Sequence, residues 1–267
     1  MARQSAAVKG AVRMGQIRGE SPYAALMDEM AADCSRCRGL CCTELYFSRC
    51  DGFPADKAAG VPCGHLTAGF RCDIHGELAE RGLKGCMAYD CFGAGQAACE
   101  GGGDFHRLFR LRQMRWYLAQ AASLKPCGGL RDELDALMAE SGGAEDIDAF
   151  QERVNAVLKR AVALVCDRGR PRRRDLAGRR LRGDETAGRD LSMALLIAAN
   201  LRGCSLRGTS LLGADLRDAD LSGADLSECV FLTQGQVNGA RGDEKTKLPP
   251  ALRRPEHWGG GAARRGT

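Results

Sequence analysis

Through the middle of the chain hydrophobic positions recur every three or four residues, the spacing that lays an apolar stripe along a helix. The stretches FHRLFRLRQMRWYLAQAASL, beginning at Phe105, and LRDELDALMAE, beginning at Leu130, each predict a helix. A third follows SGGAED, where Ile147, Phe150, Val154, Val157, Leu158, Ala161, Leu164 and Val165 fall on one face. Together they predict a helical middle layer. The glycine run EGGGDF at 100–105 separates this layer from what precedes it.

Beyond this layer the period becomes five. Counting from Leu176, the centres are Leu176, Leu181, Thr186, Leu191, Leu196, Leu201, Leu206, Leu211, Leu216, Leu221, Leu226 and Phe231, with Thr186 the one exception to Leu or Phe. Two residues before the later centres stand Ala194, Ala199, Cys204, Thr209, Ala214, Ala219, Ala224 and Cys229, all small. Neither the helical period of 3.6 nor the strand period of about 2 accounts for this register, whereas a coil that turns a corner every pentad does. One large and one small side chain per pentad then face inward, and the other three face solvent.

The stretch LLIAANLRGCSLRGTSLLGADLRDADLSGADLSECVF resembles the pentapeptide-repeat family over residues 172–241. That resemblance implies a right-handed quadrilateral β-helix with four pentads per turn. Arg174, Arg179, Asp184 and Arg189 occupy small-residue positions, so the first turn is expected to be irregular. A solenoid needs its end covered, and Thr233 as a helix cap with Leu248, Leu252 and Trp258 supplies a candidate cover.

Of the 14 cysteines, ten lie in the first hundred residues, four of them in CSRCRGLCC at 34–42. A Cys-x2-Cys pair can bring two sulfurs to one tetrahedral metal, and free thiolates suit metal ligation better than disulfides in a reducing compartment. The adjacent thiols of Cys41 and Cys42 point different ways, so they serve different metals, or the turn is sharply bent, or one is structural. The arrangement Cys34, Cys37, Cys41, Cys42, then Pro62-Cys63 with Leu66, Cys72 with Ile74, then Cys86 and Cys91 resembles a zinc- or iron-chelating cysteine-cluster family over residues 31–92. His75 stands where that family more often has Tyr.

The resemblance implies a metal site made of Cys34, Cys37, Cys41, Cys42, Cys63, Cys72, Cys86 and Cys91, with His65 and His75 as further candidate ligands. Eight thiols suit two zinc ions, or one four-cysteine iron–sulfur cluster with four thiols left over. Zinc is the expected cofactor, with iron or an iron–sulfur cluster the alternative. Cys50 and Cys99 lie outside the pattern and are expected not to ligate. Tyr89 and Asp90 are candidates to support the ligands from behind.

Apolar residues make up 44% of the 267-residue chain and aromatics 5%, which suits a thin coil better than a wide pocket. A net charge of +5 is too small for a dedicated nucleic-acid binder. Eight arginines between Arg168 and Arg182 are interrupted by Asp175 and lack interleaved aromatics, so they read as a solvated linker. The first twenty residues hold no apolar run of signal-peptide length, and MALLIAA is too short to span a bilayer, so a cytoplasmic protein is expected.

The expected fold is multi-domain α+β. It comprises a partly disordered arm at 1–30, a cysteine module at 31–103, a helical segment at 104–167, the pentapeptide coil at 172–241, and a cap with a disordered tail at 242–267. The expected function is non-catalytic metal binding, with the coil used to bind a protein partner or a second copy of the chain. An iron–sulfur enzyme or redox protein is the alternative. Imitation of DNA to block a topoisomerase is disfavoured: about three turns at ~4.8 Å each give a rod far shorter than the ~34 Å of one DNA turn. Its outward Arg202, Arg207 and Arg217 also break any acidic face.

Overall fold

The computed structural model describes residues 19–171 and 173–259; most of the arm and most of the tail expected to be disordered lie outside them. In the N-terminal part, short helices α1 (Ala24–Glu29), α2 (Leu40–Glu44) and α3 (Lys84–Ala88) alternate with 3-10 turns and loops, followed by α4 (Ala94–Gly101). Between residues 31 and 92 only Phe47, Ile74, Leu83 and Phe92 are buried apolar side chains. That is little core for a segment of this length.

The three helices of the middle layer are α5 (Phe105–Ala122), α6 (Arg131–Glu140) and α7 (Ile147–Val165). Asp104 caps α5 by accepting from the Arg107 amide, and Asp146 caps α7 by accepting from the amides of Asp148 and Ala149. α5 stops short of Leu124 because Lys125-Pro126 cannot continue it. The stripe on α7 is buried at Phe150, Val154, Val157, Leu158 and Ala161, but Leu164, at the margin of the stripe in the last turn, is 51% exposed and Val162 is buried instead.

From Asp175 the chain coils with a period of twenty residues. Parallel bridges stack in four rows: 175–195–215, 180–200–220–241, 190–210–230 and 205–225–247. Leu196 N–H donates to Asp215 O at 2.8 Å, and Asp215 N–H returns to Ala194 O at 3.0 Å; the same pair recurs a pentad on. The bridges are isolated, and no continuous strand forms among the described residues. The strands expected of a β-helix are missing because each side contributes one bridged residue before the backbone bends.

The bend is a turn closed by the small residue donating to the preceding centre's carbonyl, as in Ala199 N–H to Leu196 O at 2.9 Å. Its third residue lies at positive φ, as a type II turn requires. Gly203, Gly208, Gly213 and Gly223 hold that position, but so do Met193 (φ 58°), Ala198 (φ 54°) and Asp218 (φ 60°). The residue before each centre reinforces the corner: Asp190, Asn200, Asp215, Asp220 and Asp225 each accept from the amide two residues on. Short α8 (Gly183–Thr186) interrupts the early pentads, as the irregular sequence there anticipates.

One wall is not solvent-facing. Asp190, Ser210 and Val230, expected to point outward, are buried, with Val230 in the core built by α5, α6 and α7. Trp116 of α5 and Phe92 join the leucines of the coil in a second core. Gln120 stitches the two layers together, accepting from Phe231 N–H at 3.0 Å and donating to Leu232 O at 3.1 Å. At the end of the coil α9 (Gln234–Gly239) starts from a Thr233–Gln236 capping box. Trp258 closes the mouth, with Nε1 donating to Ala240 O at 3.0 Å. Among the described residues no helix is long and apolar enough to cross a membrane.

Candidate metal centre

Cys34 opens a 3-10 turn that Asp33 caps, and Cys37 follows in extended backbone. Gly39, at φ 71°, then reverses the chain into α2, which carries Cys41 and Cys42. A Cβ at Gly39 would stand 2.6 Å from the Leu66 side chain, so only glycine fits that reversal. The amides of Gly39 and Leu40 are directed at the Cys37 sulfur. Cys91 lies before α4, and the amides of Gly93, Ala94 and Gly95 are directed at its sulfur. Burial raises both thiols, and the amide dipoles aimed at their sulfurs offset part of that rise.

Cys63 reaches the same region through its amide, which donates to Cys42 O at 3.0 Å. Cys72 sits opposite Leu66 in a small antiparallel bridge, and Cys86 projects from α3. All fourteen cysteines are free thiols.

Electrostatic neighbours link the eight candidate ligands into two overlapping groups. Burial raises the Cys34 thiol, and so do the nearby Cys91, Cys37 and Cys42. Cys41 is raised by its contact with Cys42, by burial, and further by Cys34 and Cys91. Cys86 is pushed up to about 12, first by burial and then by Cys42, Cys63 and Cys72. Cys72 is raised by burial and by Cys42 and Cys63. Thus Cys34, Cys37, Cys41 and Cys91 neighbour one another, as do Cys42, Cys63, Cys72 and Cys86, and the two groups overlap because Cys42 also acts on Cys34. They meet where the sulfurs of Cys41 and Cys42 lie 4.0 Å apart. Cys42 is held low by its contact with Cys41 and by Lys57.

Among the described residues, no three Cys, His, Asp or Glu side chains stand in a ready metal-ligating arrangement. The donor chemistry nonetheless suits a soft cation: thiols that disfavour one another's ionisation, with backbone amides directed at Cys37, Cys72 and Cys91. His65 and His75 are not drawn into either set. His65 Nδ1 is 3.0 Å from Asp73 Oδ1, and His75 lies exposed in a 3-10 turn. Cys50 is exposed and apart.

Cys99 behaves differently from its place in the sequence pattern. Its sulfur accepts from Arg38 N–H at 3.3 Å and is a neighbour of Cys37. A signal was available: Gly95 and Cys99 are four residues apart on α4, and a Cβ at Gly95 would stand 2.7 Å from the Cys37 sulfur.

Tyr89 and Asp90 contribute to the lining of a cavity of about 340 Å³ between α5, the coil and α9, while the Tyr89 hydroxyl is raised by burial and by the nearby Cys91, Cys41 and Cys37, and Asp90 lies close enough to Cys91 to raise it. Asp90 accepts from Phe92 N–H at 2.9 Å and from the Gly235 amide, and burial pushes its carboxyl up to about 6. The Tyr89 hydroxyl is buried without a hydrogen-bond partner among the described residues.

Pentapeptide repeats match in eight copies over residues 194–231. A protein of Bacillus subtilis (strain 168) described as "Uncharacterized protein YybG" is 38% identical over 267 residues, covering 86% of this chain and 95% of that one. The crystal structure of a pentapeptide repeat protein, Rfr23, from the cyanobacterium Cyanothece 51142 is similar over 31% of this chain at 29% identity, with a TM-score of 0.18. The chain spans 44% of that protein's length.

Proposed function

This chain belongs to the family of Bacillus subtilis YybG and carries pentapeptide repeats, and from that premise we propose that it is a non-catalytic metal-binding protein that docks a protein partner through its coil. The N-terminal module, residues 31–103, holds two zinc ions. Cys34, Cys37, Cys41 and Cys91 bind one, and Cys42, Cys63, Cys72 and Cys86 bind the other. The single observation that carries this reading is the gathering of the eight thiols into two overlapping groups around the Cys41–Cys42 contact. The metal supplies much of this module's folding free energy, because the buried apolar side chains Phe47, Ile74, Leu83, Phe92 and Ala94 supply little. Fourteen uncrosslinked thiols accord with a cytoplasmic location.

The coil is a short right-handed quadrilateral β-helix of four pentads per turn. Its support is the twenty-residue bridge spacing in four rows. With one wall occupied by the helical layer, the wall bearing Met193 and Leu195, 63% and 46% exposed, is the apolar surface offered to a partner or a second copy.

Alkylation of anaerobically purified protein tests the metal reading. Iodoacetamide is expected to label Cys50 at once and to leave the eight ligands protected until a chelator is added. Immediate labelling of all eight in the compact protein would overturn it. Brown protein containing inorganic sulfide would replace zinc with an iron–sulfur cluster.

A further inference from the structure

Cys99 stands outside the eight candidate ligands, yet the backbone brings it to one of them. Its sulfur accepts at 3.3 Å from the Arg38 amide, which belongs to the peptide group directly following Cys37. On α4, Gly95 and Cys99 are four residues apart and share a face. The Cys37 sulfur rests on that face one turn earlier, 2.7 Å from where a Cβ of residue 95 would stand, so glycine there is what lets it reach the helix. The two thiols are direct side-chain neighbours. Cys99 also lines a cavity of about 340 Å³ together with Arg38, Glu44 and His106, and Cys37 does not.

The other close pair of thiols cannot use its proximity in the same way. The sulfurs of Cys41 and Cys42 are 4.0 Å apart, but both residues are held in α2. Consecutive Cα atoms stand about 3.8 Å apart, short of the roughly 4.4–6.8 Å that a disulfide spans. Cys37 and Cys99 lie on separate elements, one in extended backbone and one on a helix, and escape that limit.

We propose that Cys37 and Cys99 form a reversible disulfide that converts exposure to a peroxide into loss of a metal ligand. A peroxide entering the cavity transfers one oxygen to the Cys99 sulfur, giving a sulfenic acid, and its other oxygen leaves as water or an alcohol. The Cys37 sulfur then attacks with the electron pair it would otherwise give to a metal. The S–S bond forms, the S–O bond of Cys99 breaks, and hydroxide departs to be protonated to water. Two electrons pass in all from the two sulfurs to the peroxide, and a dithiol reductant returns them. Cys34, Cys41 and Cys91 remain as three ligands where four stood, and Cys42, Cys63, Cys72 and Cys86 are untouched. The disulfide follows from the geometry at Gly95 and Arg38, whereas the consequence for metal rests on the two-ion reading above.

The test adds hydrogen peroxide to the anaerobically purified full chain at one equivalent. Metal content is measured before and after, and disulfides are mapped by mass spectrometry once free thiols are blocked. The wild type is expected to form the Cys37–Cys99 disulfide and to lose one of its two ions, and dithiothreitol with added zinc should restore both. Cys99→Ser should carry two ions at the start and keep them through the same treatment. Cys50→Ser, which lacks the exposed thiol, should behave as the wild type does. The two readings fail separately: a chain isolated without metal contradicts the two-ion reading, whereas Cys37 and Cys99 left unlinked by peroxide overturn this proposal. Equal metal loss from Cys99→Ser and the wild type overturns it as well.

Discussion

At the scale of single residues, the pentad corner shows how much one dihedral angle decides. The Leu centres and small Ala, Cys and Thr positions were readable because burial demands them, and they occupy the interior as expected. The glycines were readable only as loop residues, since a sequence shows a glycine but not the angle it serves. Their common role is the third position of the turn, where Ala198 carries a left-handed φ of 54° against its side chain. Ala198→Gly should therefore stabilise the protein by about 1 kcal/mol, whereas Gly203→Ala at the equivalent corner should destabilise it by a similar amount. Urea denaturation of the two variants checks the opposite signs. Cys99 shows the converse limit: a family pattern assigns thiols by order along the chain, while Cys99 reaches Cys37 through a helix face that order does not describe.

At the scale of elements, the three helices were legible because their apolar stripes and their Asp caps are both local. The five-residue register was legible for the same reason. The absence of strands was not, because bridging one residue per side is a property of the stacked turns and of no single pentad. The burial of Asp190, Ser210 and Val230 was equally hidden, since it depends on which wall the helices cover.

The corners also set a pH response. Burial opposes ionisation of Asp220 and Asp225, but the hydroxyls and amides of Ser222 and Ser227 outweigh it and hold both carboxyls below the usual range. A carboxyl with a lowered folded pKa binds protons more readily in the unfolded chain. Its contribution is present above the unfolded value of about 3.9 and disappears as pH falls through the folded pKa. Urea midpoints should therefore drop as pH falls below about 4, and less steeply in Asp220→Asn/Asp225→Asn. An equal slope in that double variant would assign the acid response elsewhere.

At the scale of the whole molecule, the helices and the coil are one folded unit with the cysteine module packed against the coil's wall and α9. Met30, Phe92 and Trp116 share a core with the coil's leucines, and Lys84–Asp218 and Arg217–Asp51 tie the module to its wall. The backbones approach closely at Gly235 of α9, where a Cβ would stand 2.4 Å from Ala88 O of α3. Gly235→Ala should cost about 1–3 kcal/mol by forcing the module off the coil, read as a lowered midpoint in thermal unfolding. Hydrogen exchange followed during chelation should then separate the two parts, with amides at 34–91 losing protection while those of the coil and of α5–α7 keep it.

The central claim is that two metal ions divide the eight thiols between Cys41 and Cys42. Native mass spectrometry of anaerobically purified protein addresses it directly. The wild-type chain should carry two metal ions, Cys41→Ser and Cys42→Ser one each, and Cys50→Ser both. A metal-free wild-type chain that remains compact, or loss of both ions from either single variant while the other keeps two, would contradict it.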